Sequence, residues 1–407
     1  MNTRNTLLSL AVLTALSSTA HAEIFIDSVG GSEISFEGLL QTDFNWFHSD
    51  VADLNGSTTD GDDNDANLRR AEIILKGKGP GMWSWVLGYD ASADKFLDAN
   101  IAYRMGNSSF MLGQYKQPNS LEELSSTKNN DFQSKAMTTN LFAMSRRYGG
   151  AYTYTNTDSN FGLTASLFGN EFTPNQTPSL GTGTGWGTRA YWAPINDGNS
   201  TLHLGVSYVD LDVSNEKDQD IARLRVRPDA DLSGVRLIDT GNMTFSDSNS
   251  VMGLEGGYTY GAFKAQAEYM SSDVSRTNGF RDWSGDSWYI YGLWNITGET
   301  HGYKTGVFTT PLPNNPGLGM WQVAVRYDAA DLNDGRVNFA NPNAPVVTGV
   351  MGGEQDNWTL GVNWYWRSNF KAQLNYVIAN STKYQSSKKA FVDDDPSITT
   401  LRLQFYW

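Results

Sequence analysis

The chain has 407 residues, carries 44 acidic against 30 basic side chains for a formal charge of −14, and contains no cysteine. That balance argues against a nucleic-acid partner, which is bound through an excess of Lys and Arg, and the missing thiols exclude both a disulfide framework and a thiolate metal site. A mean hydropathy of −0.43 alongside 19 Tyr, 19 Phe and 13 Trp suits a membrane barrel better than a polar globular domain: its strands show apolar residues to lipid at every second position and gather aromatic rings at both interfaces.

Residues 1–22 hold Arg4, an apolar run from Leu7 to Leu16, and the small-x-small site Ala20-His21-Ala22. This is the pattern of a signal peptide cleaved after Ala22, leaving 23–407 as one exported body. No later stretch reaches the ~20 consecutive apolar residues of a membrane helix. A membrane-crossing chain of this kind crosses as strands.

Period-two alternation predicts strands near 34–47, 68–77, 82–91, 98–105 and 110–116, then 147–155, 161–168, 186–193 and 201–211. Runs at 251–260, 263–271, 287–295, 320–329, 359–367, 371–378 and 401–407 bring the total to sixteen. The pattern is clearest at the end of the chain, where Leu360, Val362, Trp364 and Trp366 oppose Gly361, Asn363 and Tyr365, and Leu401, Leu403, Phe405 and Trp407 oppose Arg402, Gln404 and Tyr406. An even count fits a closed antiparallel barrel with both ends in the periplasm. Connections at 106–108, 156–159 and 261–262 are short and are assigned to the periplasm. Those at 48–67, 117–146, 169–185, 212–250, 272–286, 330–357 and 380–396 are long and are assigned outside. Segment 297–319 breaks the rule, being long yet periplasmic by count.

Several segments resemble the phosphate-selective porin family, the O and P type. They are Asn67-Leu68-Arg69-Arg70-Ala71, Gly113-Gln114-Tyr115-Lys116-Gln117-Pro118, Leu121-Glu122-Glu123-Leu124-Ser125-Ser126 and Arg146-Arg147. Gly298-Glu299-Thr300 with Gly302-Tyr303-Lys304, Asp331-Leu332-Asn333-Asp334-Gly335, Leu360-Gly361-Val362-Asn363-Trp364-Tyr365 and Leu374-Asn375-Tyr376 follow in order. The resemblance implies an all-β fold, a sixteen-stranded transmembrane β-barrel in a homotrimer, with the third loop folded into the lumen to constrict the pore. It also implies passive passage of phosphate or related small anions across the outer membrane of a Gram-negative bacterium, along Arg and Lys.

Anion selectivity needs fixed cations at the narrowest point. The span 116–147 carries Lys116, Lys128, Lys135, Arg146 and Arg147 against Glu122, Glu123 and Asp131, a local excess of positive charge in an acidic chain. Parity sets Gln114 and Lys116 on one face opposite Met111 and Tyr115, which turns Lys116 into the lumen. Arg70 shares the polar face of Glu72 and Lys76, whereas Arg69 falls with Ala71, Ile73 and Leu75, so both reach the lumen only if the strand starts or bulges between them. Asp98 matches an acidic position of the family that orients a cation or hydrogen-bonds a protonated phosphate. The expected anion-binding or pore-lining set is therefore Arg69, Arg70, Asp98, Lys116, Lys128, Lys135, Arg146 and Arg147. The ordinary alternative is that such cations pair with neighbouring acids and merely stiffen the wall.

The acidic segment 48–67, with Asp50, Asp53, Asp60, Asp62, Asp63 and Asp65, reads as a solvated outer loop, since it lacks the spacing of a calcium loop. Gly181 to Gly187 lacks the Lys of a phosphate-binding loop. No cofactor and no metal are expected; outer-membrane lipid and lipopolysaccharide are the expected surroundings. The charge of −14 keeps a general or weakly cation-preferring porin as the alternative function. A hydrolase would need a nucleophile and base in reach; His203, beside Thr201, Gly205 and Ser207 in parity, has no such signature, and no enzyme is expected.

Overall fold

A computed structural model describes residues 24–29, 32–56, 64–172, 183–213 and 220–407. The leader, Asp60, Asp62, Asp63 and the start of the glycine-rich segment lie outside the described residues. Sixteen strands form the wall. They are β1 (Ser32–His48), β2 (Asn64–Lys78), β3 (Trp83–Asp90), β4 (Lys95–Met105), β5 (Ser108–Lys116), β6 (Arg146–Asn156), β7 (Phe161–Phe168) and β8 (Gly185–Asn196). Then come β9 (Ser200–Asp212), β10 (Ser246–Tyr260), β11 (Phe263–Arg276), β12 (Trp283–Asn295), β13 (Met320–Asn338), β14 (Val346–Trp366), β15 (Phe370–Gln385) and β16 (Ser397–Tyr406). Each pairs antiparallel with its sequence neighbours. β1 and β16 close the cylinder from Leu39↔Tyr406 to His48↔Ser397, so the wall presents no open edge to lipid.

Direct register partners share a face, and the faces are chemically opposite. Trp358, Leu360, Leu374, Tyr376, Ile378 and Leu403 are exposed on the outside, whereas Asn357, Thr359, Asn363, Gln373, Asn375 and Arg402 are buried inside. Stacked or tilted outer pairs such as Phe263–Trp294 and Trp321–Trp364 belong to the aromatic belt expected where hydrocarbon meets headgroups. Paired strand extends well into segments read above as loops. β13 and β14 run on together as far as Asn338↔Val346, within 330–357, and β15 continues to Gln385. Above the membrane neither face meets lipid, so these Asp-, Asn- and Gly-rich strands lack the alternation that betrays the others.

The lumen is filled unevenly. The third outer loop, 117–145, carries helices α1 (Leu121–Leu124) and α2 (Met137–Phe142) and lies within the barrel. Its backbone is bonded to several strands: Leu121 and Glu122 N–H donate to Glu268 on β11, Met137 N–H to Asp328 on β13, and Gln133 N–H to Asn375 on β15. Asn363 on β14 and Arg402 on β16 donate to the carbonyls of Asp131 and Gln133. Met137, Leu141 and Phe142 of α2 pack with Leu224, Val226 and Ile238 of the fifth outer loop and with Val251, Met270 and Trp283 of the wall. A second apolar cluster, including Phe47, Leu54, Leu237, Val377 and Ile398, holds the fifth loop against the other side. Loops three and five thus occupy the β9 to β16 side, and open space remains along β1 to β8.

The long connection before β13 is also accounted for. Gly302–Lys304 and Val307–Thr309 form a small hairpin. Thr305 and Gly306 take positive φ at its tip, as a two-residue turn requires. The hairpin reaches the lumen: the Arg189 guanidinium donates to Gly306 O at 2.9 Å, and the Tyr303 hydroxyl lies 2.7 Å from His203 Nδ1.

Candidate functional site

The remaining space is a cavity of about 1030 Å³ bounded by β1 to β8, the third loop and the hairpin. Three cations from the expected set line it, Lys116, Lys128 and Arg146. Lys76, Lys78 and Arg104 line its lower part, with Arg189 and Lys304 to the side. Only three carboxylates share the wall among the described residues: Glu37, Glu72 and Asp98. Eight cations against three acids reverses the sign of the whole chain.

The paired arginines sit on the bulge that parity demanded. Gln41 pairs with Arg70 and Thr42 with Leu68, leaving Arg69 as the extra residue. Arg69 Nε then reaches Asp231 of the fifth loop at 3.1 Å, while Arg70 Nη1 meets Glu72 at 3.1 Å and Asp90 at 4.0 Å. Arg146 holds Asp98 through Nη2 at 2.7 Å and Nε at 3.1 Å. Lys135 pairs with Glu123, and Ser145 also donates to that carboxylate. Burial works to raise the Glu123 pKa, but Lys135 and Lys116 outweigh it and bring it down to about 2. Lys128 has no ion-pair partner among the described residues; its ammonium stands 5.5 Å from the centre of the Tyr406 ring.

Two details differ from the sequence reading. Met111 and Tyr115 line the cavity, whereas Gln114 is turned to β4, where its amide donates to Phe96 O and Leu97 O. Lys116 reaches the cavity because it is the last strand residue, where the chain turns inward, and its ammonium is taken by the carbonyls of Glu123 and Ser125. Arg147 is buried, and its Nη1 meets Glu171 of the fourth loop at 2.7 Å, so the adjacent arginines Arg146 and Arg147 serve different surroundings.

Further cations escaped the sequence reading. Arg223, Arg225 and Arg227 alternate with Leu224 and Val226, which are buried in the apolar cluster of the lumen. Burial lowers the Arg236 pKa, and the charges of Arg227, Arg225 and Arg223 lower it further. Burial likewise lowers that of Arg227, with Arg69 and Arg225 adding to it while Asp231 opposes. The fifth loop therefore carries a file of guanidinium groups, of which Arg223 pairs with Asp239 and Arg227 comes within electrostatic reach of Arg69. Five residues of strict Arg–apolar alternation were the available signal. On the hairpin side, His301 is buried; that burial and nearby Lys264 bring its pKa down to about 4, leaving it neutral. His203 faces the lumen and its Nε2 meets Glu255 at 3.1 Å, with Glu255 also paired to Arg189 at 2.6 Å.

The sequence profile of the family described as phosphate-selective porin O and P matches residues 40–407. The chain belongs to that family. This porin, a β-barrel channel protein of the Gram-negative outer membrane, is 28% identical to Porin O of Pseudomonas aeruginosa over 95% of its own length and 93% of that protein. Its barrel superposes on an anion-selective porin from Comamonas acidovorans with a TM-score of 0.56 at 12% identity, over 92% of this chain and 100% of the other. The outer membrane channel DcaP of Acinetobacter baumannii gives 0.55 at 12% identity, over 94% and 100%. At such identities the two structures speak for the fold alone.

Proposed function

We propose that this porin is a passive channel for small anions, phosphate foremost, narrowed where the third loop brings Lys128 opposite Arg146 and Lys116. The observation that carries this reading is the cavity wall, with eight cations against three carboxylates in a chain of net charge −14. An anion entering from outside first meets the guanidinium file of the fifth loop with Arg69 and Arg70, then the cations of the cavity. A unit charge pair at about 4 Å is worth ~1 kcal/mol in water and ~4 kcal/mol at intermediate dielectric. Two or three such contacts hold a phosphate in the micromolar to millimolar range and still release it, which conduction requires. Arg69, Arg70, Asp98, Lys135 and Arg147 act in this reading by setting the position and field of the cations that touch the anion. We assign no catalysis: His203 is engaged by Tyr303 and Glu255.

The same reading has the leader removed after Ala22, three copies assembled in the outer membrane, and lipid and lipopolysaccharide around them. A general or cation-preferring porin draws support from the carboxylates beside Arg69, Arg70 and Arg146. Single-channel reversal potential in a KCl gradient separates the two: a potential on the chloride side supports anion passage, and one on the potassium side refutes it.

A further inference from the structure

Four strands of the wall enclose a trough of about 550 Å³ that faces away from the lumen, with Tyr258, Phe263, Trp294 and Val325 exposed around it. Its floor is the register row Tyr258, Ala265, Gly292 and Val325 across β10 to β13, where the two central positions carry little or no side chain. The next row toward the periplasm, Tyr260, Phe263, Trp294 and Val323, stands up beside it. Phe263 and Trp294 stack there with ring centres 5.8 Å apart and planes 10° apart, which makes a continuous ledge. In the other direction the same face offers Gly256 and Ala267, so the trough stays open toward the bilayer centre. Behind it, Tyr291, Leu293 and Ala324 point inward and pack with Phe132 of the third loop. The wall is backed there and holds its shape.

Depth decides what meets the trough. β10 ends at Tyr260 and β11 begins at Phe263, so the periplasmic turn Gly261-Ala262 lies directly beneath the ledge. From Tyr260 up to Gly256 is four residues, about 14 Å of tilted strand, which is about half of the ~25 Å apolar band. The trough therefore belongs to the periplasmic leaflet, whose lipid is phospholipid. At its lower mouth Tyr260 and Trp294 carry an O–H and an N–H, donors that ester and phosphate oxygens accept from. Lipid tails are as apolar as the wall, so transfer into the trough gains nothing by itself. The gain is dispersion: a chain lying in a preformed trough touches protein on several sides, whereas one on the flat face beside it touches protein on one.

We propose that this trough is a fixed phospholipid site, which holds one acyl chain of a periplasmic-leaflet lipid along Ala265 and Gly292 and its glycerol and headgroup at Tyr260 and Trp294. The site continues the face that the wall already turns to lipid, and it is independent of what the lumen conducts.

The test is native mass spectrometry of the porin taken from vesicles of phosphatidylethanolamine and phosphatidylglycerol in equal parts and washed in detergent. The unmodified porin should keep one phospholipid per chain. A Cβ at Gly292 meets nothing within 4 Å, so Gly292→Phe fills the trough without straining the wall. It should lower retention about fivefold, because the acyl chain loses its contacts along the floor, and Ala265→Leu should act in the same direction. Leu403→Phe adds bulk to the exposed face of β16, away from the trough, and should leave retention unchanged. Absence of retained phospholipid from the unmodified porin overturns the proposal, whichever variants assemble. So does equal retention by the trough variants and Leu403→Phe. If a trough variant splits the oligomer into single barrels while Leu403→Phe leaves it whole, the trough seats a neighbouring copy and the lipid site is wrong.

Discussion

Replacing Arg146 by Gln changes the charge at the proposed narrow point without removing a wall residue. Arg146 donates twice to one oxygen of Asp98, so the pair contributes no net charge to the cavity, and the variant leaves a bare carboxylate. A unit charge about 6 Å from a phosphate costs about 3 kcal/mol at an effective dielectric near 20. Both side chains retain some exposure, 20% for Arg146 and 31% for Asp98, and 0.1 M salt screens over ~10 Å. Taking half of the cost leaves about 1.4 kcal/mol, roughly a tenfold loss of phosphate block. Asp98→Asn alone removes the negative partner and should strengthen block by a similar factor, while the double variant should return to within about threefold of the original. Planar-bilayer titration of chloride current with phosphate measures all three. If Asp98→Asn instead weakens block as much as Arg146→Gln, the carboxylate contacts phosphate directly, and charge compensation is the wrong account.

Lys128→Gln should weaken phosphate block five- to tenfold, since no paired acid among the described residues offsets its charge, whereas Lys388→Glu on an outer loop should alter only salt-sensitive capture; equal effects in the bilayer titration would return selectivity to the diffuse field of the barrel. Gly113→Ala should prevent assembly, because its φ is +119° and an added Cβ would stand 2.3 Å from Ala99 O, while Gly256→Ala meets nothing within 4 Å and should fold; heat-modifiable mobility on gels reports both. Glu123 titrates at about 2 when folded, below an ordinary ~4.3 when unfolded, so its contribution to the third loop is complete above the unfolded value and is lost only as pH falls through 2. Lys135→Met should move that loss up toward pH 4, seen as open-channel noise at pH 3 that the unmodified porin lacks.

Strands were legible wherever one face meets lipid, because Leu360 and Trp364 against Asn363 can be read without knowing any partner. The extensions of β13 and β14 were not, since Gly349, Asp334 and their neighbours stand above the membrane and obey no such division. Parity failed on β5 for a local reason. It divides the faces only along regular strand, so Lys116, at the turn into the third loop, escaped it, and Met111 and Tyr115 were set on the wrong side. The bulge at Arg69 was legible only as a condition, because alternation shows that two adjacent arginines need a break in register but cannot say that Thr42 skips to Leu68. The carboxylate partners, Asp231 for Arg69 and Asp98 for Arg146, depend on loops and strands far apart in sequence, and no local pattern announces them.

Arg402 has a consequence for how the molecule is made. It lies on the closing strand, yet its guanidinium meets Asp43 on the first strand, the carbonyl of Gln133 in the third loop and Asp231 in the fifth. Those three segments are synthesised long before it, and its one guanidinium ties all three to the strand that closes the cylinder. Closure of the cylinder and the fastening of its interior therefore share one side chain. A chain halted before Ser397 leaves buried Asp43 without this guanidinium, leaves Asp231 to Arg69 and Ser134, and leaves β1 without the strand that pairs it. The strand that seals the wall thus also fastens what the wall encloses.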